Sequence, residues 1–276
     1  MKSPEPIRVT HLFLPLLDSL LDLLADLSPL DWQKPTVCAD WTVKQVVQHL
    51  LGGEIGMLSR RRDEYRPTGP AIDSWEALVA FINDLNATWV KASDRISPTV
   101  MIDLLRLIAP QVCTYFHSLD EMALGGSVSW VGPDPAPVWL DLAREYTERW
   151  HHQQHIRDAV GRPGMKDPQF FTPVLDAFVR AWPYTYRDIT ADEGTIISLT
   201  IEGNAGNRWF LVRQGEAWAL YQDVTAPPSA AVVIPQETAW RLFTHGLSQA
   251  EAQQQTKISG DQALGAEVLK MVSIIA

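Results

Sequence analysis

The chain has 276 residues, 46% of them apolar, and a formal net charge of -10. That length suits one large domain or two of ordinary size. Its longest basic run, Arg60, Arg61 and Arg62, is answered at once by Asp63 and Glu64, so the clustered cations that nucleic acid demands are missing and no nucleic-acid partner is expected.

The predicted elements begin with a helix from Val9 to about Leu27. Asp18, Asp22 and Asp26 recur at intervals of four, the wet face of an amphipathic helix. The segment therefore reads as neither a membrane span nor a signal peptide, no membrane partner is expected, and a cytoplasmic location is. A loop ending at Ala39-Asp40-Trp41-Thr42 follows. Thr42 caps a second helix with Gln45 completing a capping box, and Val43, Val46, Val47, Leu50 and Leu51 carry it to about Arg60. Asp73 to Glu76 forms a second such pattern, opening a helix to about Arg95. Ser97-Pro98 starts the next, to about Leu119, with a kink expected at Pro110.

Gly125, Gly126, Gly132, Pro133, Pro135 and Pro137 mark a loop of roughly 15 residues. A long helix then runs from Val138 to the stop signal Gly161-Arg162-Pro163-Gly164. Thr172-Pro173 opens another, to about Ala181. Beyond Asp192 the pattern turns to strands: Thr195 to Ile201, Arg208 to Val212, Ala217 to Tyr221, Ala230 to Ile234 and Lys257 to Ser259. Helices are expected after Pro235 and from Leu264 to Ile275. The fold class is an α plus α/β two-domain chain: a helical bundle over residues 1–185, then a small α+β domain over 193–276.

Chemistry concentrates on the long helix. Glu148 and His152 stand four residues apart, on one face and one turn from each other, with His155 a turn further. A carboxylate and an imidazole at this spacing suit zinc, iron or nickel, and equally suit a solvated polar stripe. His49 lies at the edge of the apolar face of the second helix. Gly53 and Gly56 follow it at four and seven residues, each costing about 0.5–1 kcal/mol in a helix relative to alanine. They either leave the surface beside His49 bare for a ligand or permit close helix packing. His151 is expected to point away from the Glu148–His152 face. Of the two cysteines, Cys113 falls in a core pattern. Cys38, which precedes the second helix, is the likelier of the two to lie near a site but is not read as filling a metal's open position.

Asp40-Trp41-Thr42-Val43-Lys44-Gln45-Val46-Val47-Gln48-His49-Leu50 resembles the opening "D-W-[ST]-V-x-[DE]-V-x-x-H-L" of the mycothiol-dependent maleylpyruvate isomerase family, within the DinB-like metal-binding four-helix bundles. The segment from Glu145 to Arg162 resembles the family's second signature, "E-x-W-x-H-x-x-D-I-R-x-x-x-G". The resemblance covers most of the first 165 residues, and the C-terminal segment looks like the small sterol-carrier-like domain that follows in this family. It implies a divalent metal, Zn²⁺ first with Ni²⁺ or Fe²⁺ as alternatives, held by His49, Glu148 and His152. It also implies a low-molecular-weight thiol co-substrate, such as mycothiol or bacillithiol, and a small electrophilic substrate to isomerise or conjugate. The chain departs from the pattern at His155, where the family carries Asp.

Three ligands leave a metal one open position, the mark of a catalytic site. His155 is then a candidate general base or supporting group. An acidic substrate or thiol needs a cation; Arg60, on the face of His49, is the first candidate, ahead of Arg208 and Arg213 on the predicted sheet. The same ligand set also serves zinc hydrolases and non-haem iron oxygenases, and a bundle can hold a metal or ligand without catalysing anything.

Overall fold

The computed structural model describes residues 1–38, 41–69 and 72–274. Asp40 of the first motif and Ile275 of the expected closing helix lie outside the described residues. The chain divides into two compact units. One comprises residues 10–120 and 148–165; the other comprises 1–9, 121–147 and 166 onward.

The helical unit holds α1 (Phe13–Ala25), α2 (Val43–Met57), α3 (Trp75–Ser93), α4 (Pro98–Ser118) and the C-terminal part of α5 (Val138–Val160). Leu16, Leu20, Leu23 and Leu24 bury one face of α1, while Asp18, Asp22 and Asp26 stay in water as their spacing predicts. The capping box of α2 forms as read: Thr42 Oγ1 accepts from the Gln45 N–H, and Gln45 Oε1 accepts from the Thr42 N–H at 2.8 Å. After Met57 the helix widens into a π-helical turn, Leu58–Arg62. Ser74, not Asp73, caps α3, because its hydroxyl reaches the Ala77 N–H at 3.1 Å.

Ser97 caps α4, which continues unbroken through Pro110. By length and composition α4 is apolar enough to cross a membrane. Met101, Leu105, Ala109, Val112, Cys113 and Phe116 instead turn its apolar face into the unit. The core joins Leu20, Leu23 and Leu24 to Val43, Val46, Val47, Leu50 and Leu51, to Met101 and Leu105, and to Ile156 of α5. The helix α3 packs on α2 through Trp89, whose indole N–H donates to the Gln48 carbonyl at 2.6 Å.

The second unit centres on a five-stranded sheet, ordered β5-β4-β3-β6-β7. Its strands are β3 (Ile196–Glu202), β4 (Arg208–Gln214), β5 (Ala217–Tyr221), β6 (Ala230–Pro235) and β7 (Lys257–Gly260). Only β3 and β6 run parallel. The helices are α6 (Pro168–Val179), α7 (Trp182–Thr185), α8 (Gln236–Phe243), α9 (Gln249–Gln255) and α10 (Gln262–Ala266). Trp182, Tyr186, Trp209, Trp240 and Phe243 are sealed within it.

Several expectations shift here. Part of the Gly/Pro-rich stretch expected as loop pairs as β1 (Leu124–Ser127) and β2 (Pro135–Pro137). The helix expected from Thr172 starts at Pro168, where proline suits a first turn. The closing helix stops at Ala266 and gives way to a 3₁₀ turn, Glu267–Lys270. The polar α9 has no apolar period to betray it; its Ser248/Glu251 capping box is the local signal. The sequence places a domain boundary between 185 and 193, but the contacts divide the chain elsewhere. The helix α6 buries Phe171, Val174, Leu175 and Phe178, and Thr172 donates to the Ala205 carbonyl at 2.9 Å. This anchors it to the sheet unit.

Candidate metal centre

Three side chains from two helices meet in the helical unit. His49 Nε2 lies 3.0 Å from Glu148 Oε1, and His152 Nε2 lies 3.1 Å from the same oxygen. The α5 pair meets because a helical turn brings residues four apart onto one face. The α2 member arrives because Val46, Val47, Leu50 and Leu51 fix which side of that helix is buried, leaving His49 at its edge, half-buried. Two further contacts reach α5: Cys38, in the turn before α2, meets His155, and Glu54 of α2 meets Arg149.

Burial favours the neutral acid at Glu148, but the His152 charge and the hydrogen bonds from both imidazoles outweigh it. Its carboxyl is held well below the ordinary carboxylate range. Burial, helped by the charge of His151 and opposed by Glu148, pushes His152 down to about 4. At neutral pH, then, Glu148 is a carboxylate and His152 a neutral base. The donor set fits a divalent cation: the three atoms lie within 4.8 Å of one another, as donors at about 2.0–2.2 Å from a shared zinc would.

A second group adjoins the first. Cys38 Sγ lies 2.9 Å from His155 Nδ1 and 3.9 Å from His152 Nδ1. The turn before α2 fixes the cysteine: Thr36 Oγ1 donates to the Trp41 carbonyl at 2.8 Å, and the Trp41 N–H donates to the Cys38 carbonyl at 3.0 Å. Cys38, the likelier of the two cysteines to lie near a site, thus stands beside this group; its placement depends on a loop meeting α5, which spacing along the chain does not encode. Burial pushes the Cys38 thiol up to about 11, against a lowering hydrogen bond with Thr36, so it remains protonated at neutral pH. His151 is also closer than expected. It is buried, with its ring 4.2 Å from that of His152 and 5.1 Å from that of His155, centroid to centroid.

Gly53 matches the bare-surface reading, while close packing falls on its neighbour Gly52, which the sequence reading did not single out. A Cβ on Gly53 would meet nothing within 4 Å, so the surface one turn from His49 is bare. A Cβ on Gly52 would stand 2.5 Å from the Trp89 indole, so that glycine serves close packing of α3 on α2. Arg60, exposed in the π-helical turn, folds back across Gly56, its Nη2 3.2 Å from where a Cβ would be. Arg208 and Arg213 belong to the sheet unit. Arg208 is exposed on β4 and stacks on Phe210, 4.7 Å from the ring centroid. Arg213 is buried in the sheet unit beside Trp218.

Residues 13–157 match the family described as the mycothiol maleylpyruvate isomerase N-terminal domain. A crystal structure of the mycothiol-dependent maleylpyruvate isomerase aligns with a TM-score of 0.52 at 12% identity, over 88% of this chain and 91% of that one. A histidine-to-alanine mutant of that enzyme aligns with a TM-score of 0.51 at 10% identity and the same coverage. At such identities the likeness speaks for the fold alone. Comparison with curated protein sequences gives no match.

Proposed function

The chain belongs to the mycothiol maleylpyruvate isomerase N-terminal domain family, and on that premise we propose that it is a metal-dependent enzyme. In this reading it uses a low-molecular-weight thiol, such as mycothiol or bacillithiol, to isomerise or conjugate a small electrophilic substrate. The observation that carries the proposal is the convergence of His49, Glu148 and His152 beside the bare surface at Gly53. These three residues would hold the metal, Zn²⁺ by preference for this donor set with Ni²⁺ or Fe²⁺ as alternatives. A divalent cation there would lower the proton affinity of a bound thiol and present it as the nucleophilic thiolate.

The rest falls to the chain's own groups. Glu148 supplies the negative charge of the ligand set, and His152 supplies a neutral nitrogen. Gly53 leaves room for a co-substrate where any larger side chain would stand. Arg60 offers a guanidinium along the same helix face for a substrate carboxylate. His155, hydrogen-bonded to Cys38, is placed to move a proton. The reaction class is addition of the thiol sulfur to a conjugated double bond. Rotation about the resulting single bond and expulsion of the thiol complete an isomerisation, whereas release of the adduct completes a conjugation.

The test supplies metal-loaded protein with an electrophilic alkenoic acid and mycothiol, bacillithiol or glutathione in turn. Turnover with at least one thiol and none without supports the proposal. Equal rates with and without every thiol would move the reading to a metal hydrolase; bound metal with no turnover would move it to a binding protein. Arg60→Gln should raise KM for the acidic substrate while leaving kcat close to that of the parent protein.

A further inference from the structure

The cluster around Cys38 has a geometry of its own. His152 and His155 stand three residues apart on α5 and are both more than nine-tenths buried, and both turn Nδ1 toward the Cys38 sulfur. The three donor atoms lie within 4.8 Å of one another. A zinc ion with Zn–S of about 2.3 Å and Zn–N of about 2.0–2.1 Å in tetrahedral geometry sets sulfur and nitrogen about 3.5 Å apart. The observed 2.9 and 3.9 Å separations bracket that value. The opposite nitrogen of His152, Nε2, faces Glu148, so one ring shows a different face to each group.

We propose that Cys38, His152 and His155 form a second metal site, separate from the His49–Glu148 group and joined to it only through the His152 ring. A thiolate with two imidazoles is a softer set than two imidazoles with a carboxylate, and it selects Zn²⁺ or Cu⁺ over Mg²⁺ or Mn²⁺. Binding a divalent ion there releases the Cys38 thiol proton to solvent and forms one metal–sulfur bond. No oxidation state changes. With both groups filled, His152 also gives up its ring N–H proton and links the two ions through its two nitrogens. The site stands whether or not the chain turns over a thiol substrate, because its evidence is the sulfur and the two Nδ1 atoms.

The test titrates the metal-free full chain with Co²⁺ alone, because cobalt bound to a thiolate shows intense charge-transfer absorption in the near ultraviolet. We expect two ions per chain and that absorption. Cys38→Ser should abolish the absorption and leave one ion; His155→Gln should weaken or abolish it with the cysteine intact. Glu148→Gln should remove the other ion and keep the absorption. Two results overturn the site: no sulfur–cobalt absorption in the parent protein, or absorption lost in Glu148→Gln. The second would make Cys38 a further ligand of the first group. Far-ultraviolet circular dichroism of each variant confirms that a loss is not unfolding. Thiol-independent turnover would refute the proposed reaction and leave these spectra unchanged.

Discussion

Two charged contacts tie α2 to α5, and they are built on opposite plans. At the inner one, the Glu54 carboxylate accepts from Arg149 Nε at 2.7 Å. The guanidinium lies 5.5 Å from the Phe13 ring centroid and 5.4 Å from that of Phe116. Only 8% of the Glu54 side chain and 14% of the Arg149 side chain is exposed. A guanidinium answers a carboxylate, and aromatic rings lie beside the pair. At the outer contact, five residues earlier on α2, the Glu148 partners among the described residues are imidazoles, and 38% of its side chain remains exposed. A carboxylate and several imidazoles gather there around a point that, among the described residues, no lysine or arginine fills. A buried ion pair is a fastening; a partly open group rich in lone pairs is a candidate receptor for a cation.

The largest expected effect separates the two plans directly. Glu54→Ala removes the carboxylate that accepts from the Arg149 guanidinium and should destabilise the chain by about 3–5 kcal/mol, read by urea unfolding. A loss below about 1 kcal/mol, the level of a surface ion pair, would show that the inner contact is no fastening. At the outer contact, stability should follow the metal. Chelation should remove about 2.7 kcal/mol relative to protein with free metal at 100 times its Kd, and His152→Ala should show no such difference. Equal melting temperatures with and without chelator in the parent protein would count against any metal at His49, Glu148 and His152.

The third effect is smaller and appears in acid. His152 sits at about 4 in the folded chain against an ordinary 6.5. As pH falls the unfolded chain takes up that proton first, so the metal-free protein should lose stability from about pH 6.5 down to about 4. Glu148, held below its ordinary 4.5, adds loss in the same direction below that pH. Melting temperatures across the series test the sign; a rise on acidification would reverse it. Protons also compete for the same nitrogens and oxygen, so metal affinity should fall over this range.

Neighbouring glycines provide the smallest contrast. Gly53→Ala meets open space and should gain about 0.5–1 kcal/mol from helix propensity. Gly52→Ala drives a methyl into the Trp89 indole, and overpacking of this kind costs about 1–3 kcal/mol, more than the same propensity gain. Thermal melts of the two variants should move in opposite directions. Under the proposed reaction, Gly53→Ala should also slow turnover, because its methyl occupies the space beside His49.

What the sequence disclosed followed the range of each signal. The Thr42–Gln45 box and the Glu148–His152 spacing are local, and both stand as read. His49 needed two helices to meet, but its position at the edge of an apolar face already pointed it toward a neighbour. The contact of Cys38 with His155 had no such guide, because it joins an irregular turn to a helix 117 residues away. The β1–β2 pair was hidden for another reason. Leu-Gly-Gly-Ser and Pro-Ala-Pro have poor strand propensity, so long-range pairing overrides local preference there. The division into units was equally hidden, since it passes through α5 between Thr147 and Glu148, where helical periodicity is unbroken.

That division has a consequence for how the chain is born. His49 leaves the ribosome 99 residues ahead of Glu148, and in the interval α3, α4 and the β1–β2 pair are made. Through this period the bundle lacks the helix that carries the carboxylate and the second imidazole of the centre, so no ion can be gripped by the full set. A nascent chain halted after Asp120 would hold one histidine of the centre and no means of keeping a metal. One carried through Met165 would hold the complete helical unit before a single strand of the large sheet exists. Any metal held by His49, Glu148 and His152 would thereby wait for the emergence of α5 and could be gripped ahead of the sheet's own assembly.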